Sequence, residues 1–306
     1  MTTRREFLRG AAACAATLAV SGSTPFLGDL LAADLPADVV EVKGAKARAT
    51  REAVNMLGGM GKFVSKGAKV VIKPNIGFAK TPDVGATTSP EVVVELVKMC
   101  LEAGARKVLV IDNPVHEANL CFERSGIPKA CQGLQDTTSF PINKKEFYGD
   151  VEVKQGKNLR NARVARDILE CDALINVPTA KCHGSGIVTF GLKNLMGTVW
   201  DRHYFHANDL QQCIADIATV VRPKLIVVDA SRILTTHGPG GPGDLYFRNT
   251  ILAGTQAATV DAHAVTLSAW SGRNYKPAEI PHIRMAAEHG LGEIDTAKIR
   301  VLRKAV

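Results

Sequence analysis

Four short apolar runs, each continuous rather than alternating with polar residues, dominate the pattern of the chain. They lie at residues 69–72, 107–111, 173–177 and 225–228. Continuous runs of Val, Ile and Leu indicate strands that are covered on both faces. Each run is followed by polar residues, so the four predicted strands all end at a change from apolar to polar sequence.

Helical spacing of apolar residues appears between and after these runs. One predicted helix begins with Ser89 as the cap and Pro90 in the first turn, and it stops at Gly104. Three more predicted helices cover residues 209–221, 258–270 and 281–289. Strands that alternate with helices predict an α/β fold with a mainly parallel sheet and helices on both faces.

One segment, residues 131–160, is polar, rich in lysine and irregular. It predicts a small irregular or hairpin insertion. We expect residues 34–306 to form a single α/β domain around it, because their length suits one large domain and their apolar content suffices for a core.

The N-terminus resembles a twin-arginine export signal. Arg4-Arg5 is followed by Phe7-Leu8 and then by an apolar run at residues 11–20. That run is too short to span a bilayer stably. Residues 1–33 are therefore interpreted as a signal peptide that addresses the chain to the twin-arginine export machinery, with the periplasm or another extracytoplasmic space as its destination and no stable membrane span. A disordered basic tail is the alternative.

Charge and cysteine content narrow the function classes. The formal net charge is +8, but no lysine block or arginine–aromatic interleaving accompanies it, so nucleic acid is not expected as a partner. The basic balance is compatible with anionic ligands. No cysteine pair has C-x-x-C spacing, and reduced thiols are expected at the six cysteines after the signal, which are Cys100, Cys121, Cys131, Cys171, Cys182 and Cys213.

Polar groups from separate segments are predicted to meet at one edge of the sheet. Ligands of open α/β sheets bind beyond the carboxyl ends of the strands. Those ends carry cationic, acidic, amide and imidazole side chains, namely Lys73, Asn75, Asp112, Lys181, His183 and Asp229. The sequence therefore predicts a polar cleft at this edge.

The densest chemical segment is residues 178–184, Pro-Thr-Ala-Lys-Cys-His-Gly. Lys181 is suited to holding an anion, or to acting as a base if burial lowers its pKa. His183 is suited to moving a proton, with an aspartate such as Asp229 to orient it. The alternative is a plain loop with an exposed lysine and a hydrogen-bonded histidine.

A second segment, residues 191–197, carries Lys193 and Asn194 between two glycines. The glycines indicate a tight turn or a close backbone approach. We interpret Lys193 as a further catalytic or anion-holding side chain and Asn194 as a substrate contact. A surface amphipathic helix is the alternative.

A divalent metal is a further alternative. His203 and His206 have the spacing that places two imidazoles on one face of a helix, and Cys182 could add a thiolate. A metal site needs three or four ligands, so this pair is weak evidence alone.

The Gly- and Pro-rich residues 236–243 predict a mobile loop that closes a site, or else a plain surface connection.

The ordered set of motifs resembles the domain of unknown function 362 family. The matching motifs lie at residues 73–75, 177–183, 192–197, 229–230, 238–239, 260–262, 280–283 and 290–292, in that order. The resemblance implies that these residues form the common site, and it adds Asp261 to the expected substrate contacts. It supplies no settled activity. Some members carry a ferredoxin-type segment, whose cysteine cluster this chain lacks.

Three function classes remain open. The first is an exported enzyme that acts on a small anionic substrate. The second is a metal or redox-centre protein of iron–sulfur type without turnover, and the third is an exported ligand-binding module. The expected catalytic side chains are Lys181, His183, Lys193 and Asp229, the expected substrate contacts are Lys73, Asn75, Asp112, Asn194 and Asp261, and the metal alternative uses His203, His206 and Cys182.

Overall fold

The computed structural model describes residues 35–306. The predicted signal peptide therefore lies outside the described residues. The strands are β1 Val39–Lys43, β2 Lys69–Pro74, β3 Lys107–Asp112, β4 Thr137–Pro141, β5 Tyr148–Glu152, β6 Asn161–Ala165, β7 Ala173–Val177, β8 Thr179–His183, β9 Ile187–Thr189, β10 Leu225–Leu234, β11 Leu245–Tyr246, β12 Thr250–Gly254 and β13 Val301–Ala305.

The α-helices alternate with these strands over much of the chain. They are α1 Lys46–Met56, α2 Pro90–Glu102, α3 Ala118–Ser125, α4 Ile127–Cys131, α5 Arg166–Leu169, α6 Gly191–Asn194, α7 Arg202–Ala207, α8 Leu210–Ile217, α9 Ala257–Val265 and α10 Pro281–Glu288. Short 3-10 turns include Pro82–Val84 and Leu195–Thr198.

The central sheet confirms the predicted α/β class. Its strand order is β13-β1-β12-β10-β7-β2-β3-β4, and the five neighbours from β10 to β4 are all parallel. β12 runs antiparallel to β10, and β1 antiparallel to β12. All four predicted strands belong to the parallel part.

Two hydrophobic cores lie on the two faces of this sheet, which explains why its strands lack alternation. Successive side chains of a strand point to opposite faces. In β2, Val71 joins one core, while Val70 and Ile72 join the other. Helices α1 and α2 cover the second core, and α8, α9 and α10 cover the first, so the prediction of helices on both faces is confirmed.

The start of α2 shows how local sequence sets an element that frames the site. Pro90 occupies the first helical position, where its missing N–H costs nothing, and Ser89 is the cap residue. The helix ends at Glu102, and Gly104 follows with φ +89°, a left-handed conformation that glycine adopts without strain. Both ends lie where the sequence placed them.

Residues 131–160 do not form one separate insertion. β4 lies inside this segment and is the edge strand of the central sheet beside β3. β5 and β6 form a two-stranded antiparallel sheet of their own, which extends to Ala165. The polar sequence of β4, Thr-Thr-Ser-Phe-Pro, has no apolar run because an edge strand is only partly covered.

Within residues 35–306, no helix is long and apolar enough to cross a membrane. The six cysteines of this range are free thiols, and five of them are buried, the exception being Cys171.

Candidate functional site

A cleft of about 450 Å³ opens at the carboxyl ends of β2 and β3. Strand β8, the turn of α6 and helix α7 form its other walls. It brings together nine of the predicted site residues, namely Lys73, Asn75, Asp112, Lys181, His183, Lys193, Asn194, His203 and His206. Three predicted residues, Cys182, Asp229 and Asp261, do not line it.

A buried ion pair forms the floor of the cleft. Lys73 Nζ lies 2.9 Å from Asp112 Oδ1, and both side chains are almost completely inaccessible to solvent. The Asp112 carboxylate also accepts hydrogen bonds from the backbone N–H groups of Ile76 and Asn113. Burial lowers the pKa of Lys73, while the charge of Asp112 opposes that shift. The Asp112 carboxylate is thus satisfied by partners within the protein.

Asn194 connects this pair to the neighbouring strands. Its Oδ1 accepts hydrogen bonds from Lys73 Nζ at 2.8 Å and from Asn75 Nδ2 at 2.9 Å. Its Nδ2 donates to Asn176 Oδ1 at 2.8 Å. Residues 191–198 are buried throughout, so this segment is not the surface helix that the sequence left open.

Gly197 is required by the close approach of its backbone to the ion pair. A Cβ atom at this position would lie 2.2 Å from Asp112 Oδ1 and 2.6 Å from Lys73 Nζ. Both distances are shorter than any real Cβ contact. The second glycine of the motif therefore makes room for the charged floor, as the sequence indicated for a close backbone approach.

Asp261 holds the turn that carries Lys193 and Asn194, and it does not face the cleft. Its two carboxylate oxygens accept hydrogen bonds from the backbone N–H groups of Gly191 at 2.8 Å and Leu192 at 2.9 Å. Burial raises the pKa of Asp261 to about 7, although these two N–H groups favour the ionised form. The expectation that Asp261 contacts substrate is therefore corrected to a structural role at the start of α6.

Asp229 is likewise engaged elsewhere. It lies in the middle of the long strand β10, where its carboxylate accepts from the backbone N–H of Ser89 at 2.8 Å and from the Ser231 hydroxyl at 2.6 Å. It therefore joins β10 to the start of α2. The expectation that Asp229 orients His183 is corrected by this placement, because neither oxygen is directed to the imidazole.

Lys181 reaches the cleft from β8, a strand that the sequence left as the polar continuation of β7. Its Nζ donates to Asn75 Oδ1 at 2.7 Å and to the Ala86 carbonyl at 2.6 Å, and it lies 5.0 Å from the centre of the Phe78 ring. Burial lowers the pKa of Lys181 to about 7, and the positive charge of Lys193 adds to this effect.

Lys193 lacks a comparable set of partners. Its buried Nζ contacts Met196 Sδ at 3.0 Å, and among residues 35–306 no carboxylate or carbonyl oxygen accepts a hydrogen bond from it. Burial lowers the pKa of Lys193 to about 7, with the charges of Arg202 and Lys73 contributing in the same direction. This amine is the most weakly satisfied cation of the cleft.

His183 lies beside Lys193. The missing side chain of Gly186 makes space for both, since a Cβ there would lie 3.2 Å from Lys193 Cε and 3.4 Å from the imidazole of His183. Nδ1 of His183 accepts a hydrogen bond from the Gly186 N–H, so the neutral ring carries its proton on Nε2. Burial, followed by the neighbouring lysines, lowers the pKa of His183 to about 3.

Arg202 is a site residue that the sequence analysis missed. Its guanidinium donates to the carbonyls of Asn113 at 2.7 Å and Pro114 at 2.5 Å, and it lines the cleft from α7. Burial lowers its pKa, although the charge of Asp112 opposes that shift. The signal was present, because Arg202 directly precedes His203 at the start of the helix predicted to carry the metal ligands.

The predicted metal ligands are not assembled into a site. His203 and His206 line the cleft on α7 and are exposed. Cys182 points to the opposite face of β8 from Lys181 and His183, where its Sγ accepts from the Gly238 N–H at 3.1 Å. Within the part of the chain that the structure describes, no three His, Cys, Asp or Glu side chains converge as a metal site would require.

The charge balance of the cleft is strongly positive. Among the described residues that line it, the cations are Lys73, Lys181, Lys193 and Arg202, while Asp112 is the only carboxylate. Asp112 is already paired with Lys73. Pro239, from the loop of residues 236–243, lies at the rim.

Comparison with known proteins agrees with the resemblance seen in the motifs. Residues 70–266 match the family model described as domain of unknown function (DUF362). The match spans more than half of the chain, so the protein belongs to this family. The matched range contains the charged residues of the cleft, which are Lys73, Asp112, Lys181, Lys193 and Arg202.

Two individual proteins are similar to this chain. A thylakoid-associated protein from Synechocystis sp. is 28% identical over 264 residues, which cover 83% of this chain and 77% of the relative. A Thermotoga maritima protein, solved as a structural genomics target, superposes with a TM-score of 0.45 and 13% identity. The alignment covers 80% of this chain, and the chain spans 60% of the length of that protein.

Proposed function

We propose that the cleft binds a small organic anion and that this protein performs its function outside the cytoplasm. The observation that carries the proposal is the imbalance of charge, with four cationic side chains and one carboxylate in the same lining. Because the Asp112 carboxylate is paired with Lys73, the lining offers no carboxylate to Lys181, Lys193 or Arg202.

The magnitude of the electrostatic gain favours an anion over a neutral ligand. Two opposite unit charges about 4 Å apart attract each other by about 4 kcal/mol at an effective dielectric constant near 20. Burial lowers the pKa values of Lys181 and Lys193 to about 7, and repulsion from neighbouring cations adds to this effect. A bound carboxylate, sulfate or phosphate group relieves this repulsion.

The size of the cleft suits a small molecule. Pockets for small ligands commonly measure roughly 300–1,000 Å³, and this cleft, at about 450 Å³, lies in the lower half of that range. Phe78, Val115 and Met196 add an apolar wall beside the cations. This combination favours an organic anion with a short carbon chain.

Titration calorimetry with sulfate, phosphate, acetate and pyruvate at low salt tests the proposal, with acetamide as the neutral control. We expect the anions to bind and acetamide to fail. Lys193→Met should weaken anion binding at least tenfold, which corresponds to about 1.4 kcal/mol. Lys144→Met, at an exposed lysine of a loose surface pair, should leave it unchanged. Binding that is the same in both variants, or absent for every anion, would refute the anion cleft.

An enzyme is the second candidate function, and one observation favours it. Lys181 and Lys193 both have pKa values of about 7, where a lysine amine is present in charged and neutral forms at physiological pH. General bases are most effective when their pKa lies near the working pH. Turnover of a bound organic anion by the purified protein, abolished in Lys193→Met, would distinguish an enzyme from a binding module.

The proposed location rests on the sequence of residues 1–33 and is compatible with the thylakoid association of the Synechocystis relative. A protein exported by the twin-arginine route folds before it crosses the membrane. The cleft is then complete when the protein arrives, and its ligand can be bound before or after export.

A further inference from the structure

The surroundings of the Lys193 amine differ from those of the other cleft cations. Lys73 is held by a carboxylate, an amide oxygen and a carbonyl, and Lys181 by an amide oxygen, a carbonyl and an aromatic ring. Lys193 Nζ has Met196 Sδ as its hydrogen-bond partner, and a thioether is a weak acceptor. The lone pair of a neutral Lys193 amine is therefore not committed to the protein.

The neutral form of the amine is also more favoured at Lys193 than at a surface lysine. Lysine becomes a nucleophile when desolvation or a neighbouring cation disfavours its protonated form. Lys193 meets both conditions, because it is buried and is near Arg202 and Lys73. The amine nonetheless faces a cleft that is open to small molecules.

We propose that Lys193 is a nucleophile and that it condenses with the carbonyl carbon of a small oxo acid bound in the cleft to form an imine. The proposal rests on the anion-binding function proposed above. It adds the class of ligand, a compound with a carbonyl group next to or near a carboxylate, and it assigns a covalent role to one residue.

The chemistry balances without any further reactant. Neutral Lys193 Nζ attacks the carbonyl carbon, and one amine proton is transferred from nitrogen to the carbonyl oxygen to give a carbinolamine. The hydroxyl group then leaves as water with the second amine proton, and a C=N bond forms between ligand and lysine. His183 lies beside the lysine with a proton on Nε2, so its neutral imidazole places a hydrogen-bond donor close to the departing oxygen.

The other cations of the cleft are placed to bind the carboxylate of the oxo acid. An oxo acid that places its carbonyl carbon at Lys193 still has a carboxylate to accommodate, and Lys181 and Arg202 line the same cleft without a carboxylate partner. Phe78 and Val115 lie beside them and suit a short carbon chain. Neutral aldehydes have no group for these two cations and should react more slowly.

Reductive trapping tests the proposal on the purified wild-type protein. Glyoxylate is added with cyanoborohydride, which delivers a hydride to the imine carbon and leaves a stable secondary amine after proton uptake from water. Peptide mass spectrometry then locates the modified lysines. We expect Lys193 to be labelled at least tenfold faster than the exposed Lys144 and Lys145, and excess sulfate to suppress this labelling alone. Propanal, which lacks the acid group, should label Lys193 no faster than the surface lysines.

Lys193→Arg is the matched variant, because it keeps the cation and removes the nucleophile. It should still bind sulfate and lose the trapped product from the cleft. Sulfate binding without preferential labelling of Lys193 would overturn the imine while leaving the anion cleft standing. Preferential labelling of Lys181 would also overturn it. Absence of both sulfate binding and labelling in the wild type would refute the anion cleft and the imine together.

Discussion

Lys73 Nζ and Asp112 Oδ1 lie 2.9 Å apart at the ends of two adjacent parallel strands, and both side chains are buried. A carboxylate in a basic cleft could serve as a ligand, as a base or as a countercharge. The ion pair with Lys73 makes Asp112 a countercharge, and the hydrogen bonds that it accepts from Ile76 and Asn113 also fix two loops. The remaining cations of the cleft are consequently free to meet an anion from solution.

Breaking this pair should be costly. Removal of one partner leaves an uncompensated buried charge, so Lys73→Met or Asp112→Asn should lower the free energy of unfolding by about 3–5 kcal/mol. Urea denaturation of the two variants measures the loss. The control is Lys144→Met, whose exposed partner Glu146 lies 3.8 Å away, and it should change stability by less than about 1 kcal/mol. Equal effects at the two sites would contradict the role assigned to the pair.

Two glycines in the β8–β9 hairpin offer a matched test of how Lys193 and His183 are positioned. A Cβ at Gly186 would press on Lys193 Cε and on the imidazole, whereas a Cβ at Gly184 would meet nothing within 4 Å. Gly186→Ala should therefore weaken sulfate binding by about tenfold, about 1.4 kcal/mol, by displacing the lysine. Its stability should stay within about 1 kcal/mol of the wild type, because the neighbour is a flexible side chain.

Gly184→Ala should bind sulfate as the wild type does. Calorimetry on the two variants gives the comparison directly. If both substitutions weaken binding equally, the effect belongs to the hairpin backbone and not to the packing of Gly186 against Lys193 and His183.

The parallel sheet could be predicted because its strands have an unusual sequence pattern. β2, β3, β7 and β10 are buried on both faces, and continuous apolar runs are the direct result. β4 was missed for the opposite reason, since an edge strand needs no such run. The start and end of α2 followed from Pro90 and Gly104, which have strong local preferences.

The site was predicted less completely, because position along a chain does not reveal where a side chain points. Asp229 was grouped with the strand ends, but β10 continues to Leu234 and leaves Asp229 in mid-strand. Cys182 was grouped with Lys181, but the alternation of β8 directs the two to opposite faces. Asp261 accepts a hydrogen bond from the N–H of Gly191, which lies 70 residues earlier in the chain. No local sequence pattern reveals such a contact.

Most thiols of this chain should be unreactive in the folded protein. Burial raises the pKa of Cys100 and Cys213 to about 12, and of Cys121, Cys131 and Cys171 to about 11. The thiolate is the reactive form, so these groups should react with an aromatic disulfide reagent at least tenfold more slowly than in denaturant. All six cysteines after residue 35 should react in denaturant without prior reduction. A gain of thiols after reduction would show disulfides and contradict this prediction.

Export should depend on the paired arginines at the N-terminus. Replacement of Arg4 and Arg5 by lysine keeps the charge and removes the pair that defines the predicted signal. We expect the variant to accumulate in the cytoplasm of the expressing cell, as measured by fractionation and immunoblotting. The control replaces Arg48 and Arg51 of α1 by lysine, which should leave the distribution unchanged. Normal export of the Arg4 and Arg5 variant would refute the signal peptide.

The lowered pKa values of Lys181 and Lys193 predict that stability and anion affinity change with pH in opposite directions. Each lysine has a pKa of about 7 in the folded protein and about 10.4 in the unfolded chain. Between these values the unfolded chain binds more protons, so stability rises with pH, by up to about 1.4 kcal/mol per pH unit for each lysine. Below about pH 7 both states are protonated and the contribution is constant at its least favourable value.

Anion binding requires the charged amines of Lys181 and Lys193. Above pH 7, the protein should therefore take up protons when an anion binds. Sulfate affinity should fall by up to about tenfold per pH unit for each proton taken up, and calorimetry in two buffers of different ionisation enthalpy measures that number directly. Stability should be measured between about pH 7.5 and about pH 8.5, because Asp261 is mostly ionised there and the buried thiols oppose the trend only at higher pH. Lys193→Met should flatten both profiles. A sulfate affinity that stays constant over this range would show that the lysines are fully charged in the free cleft.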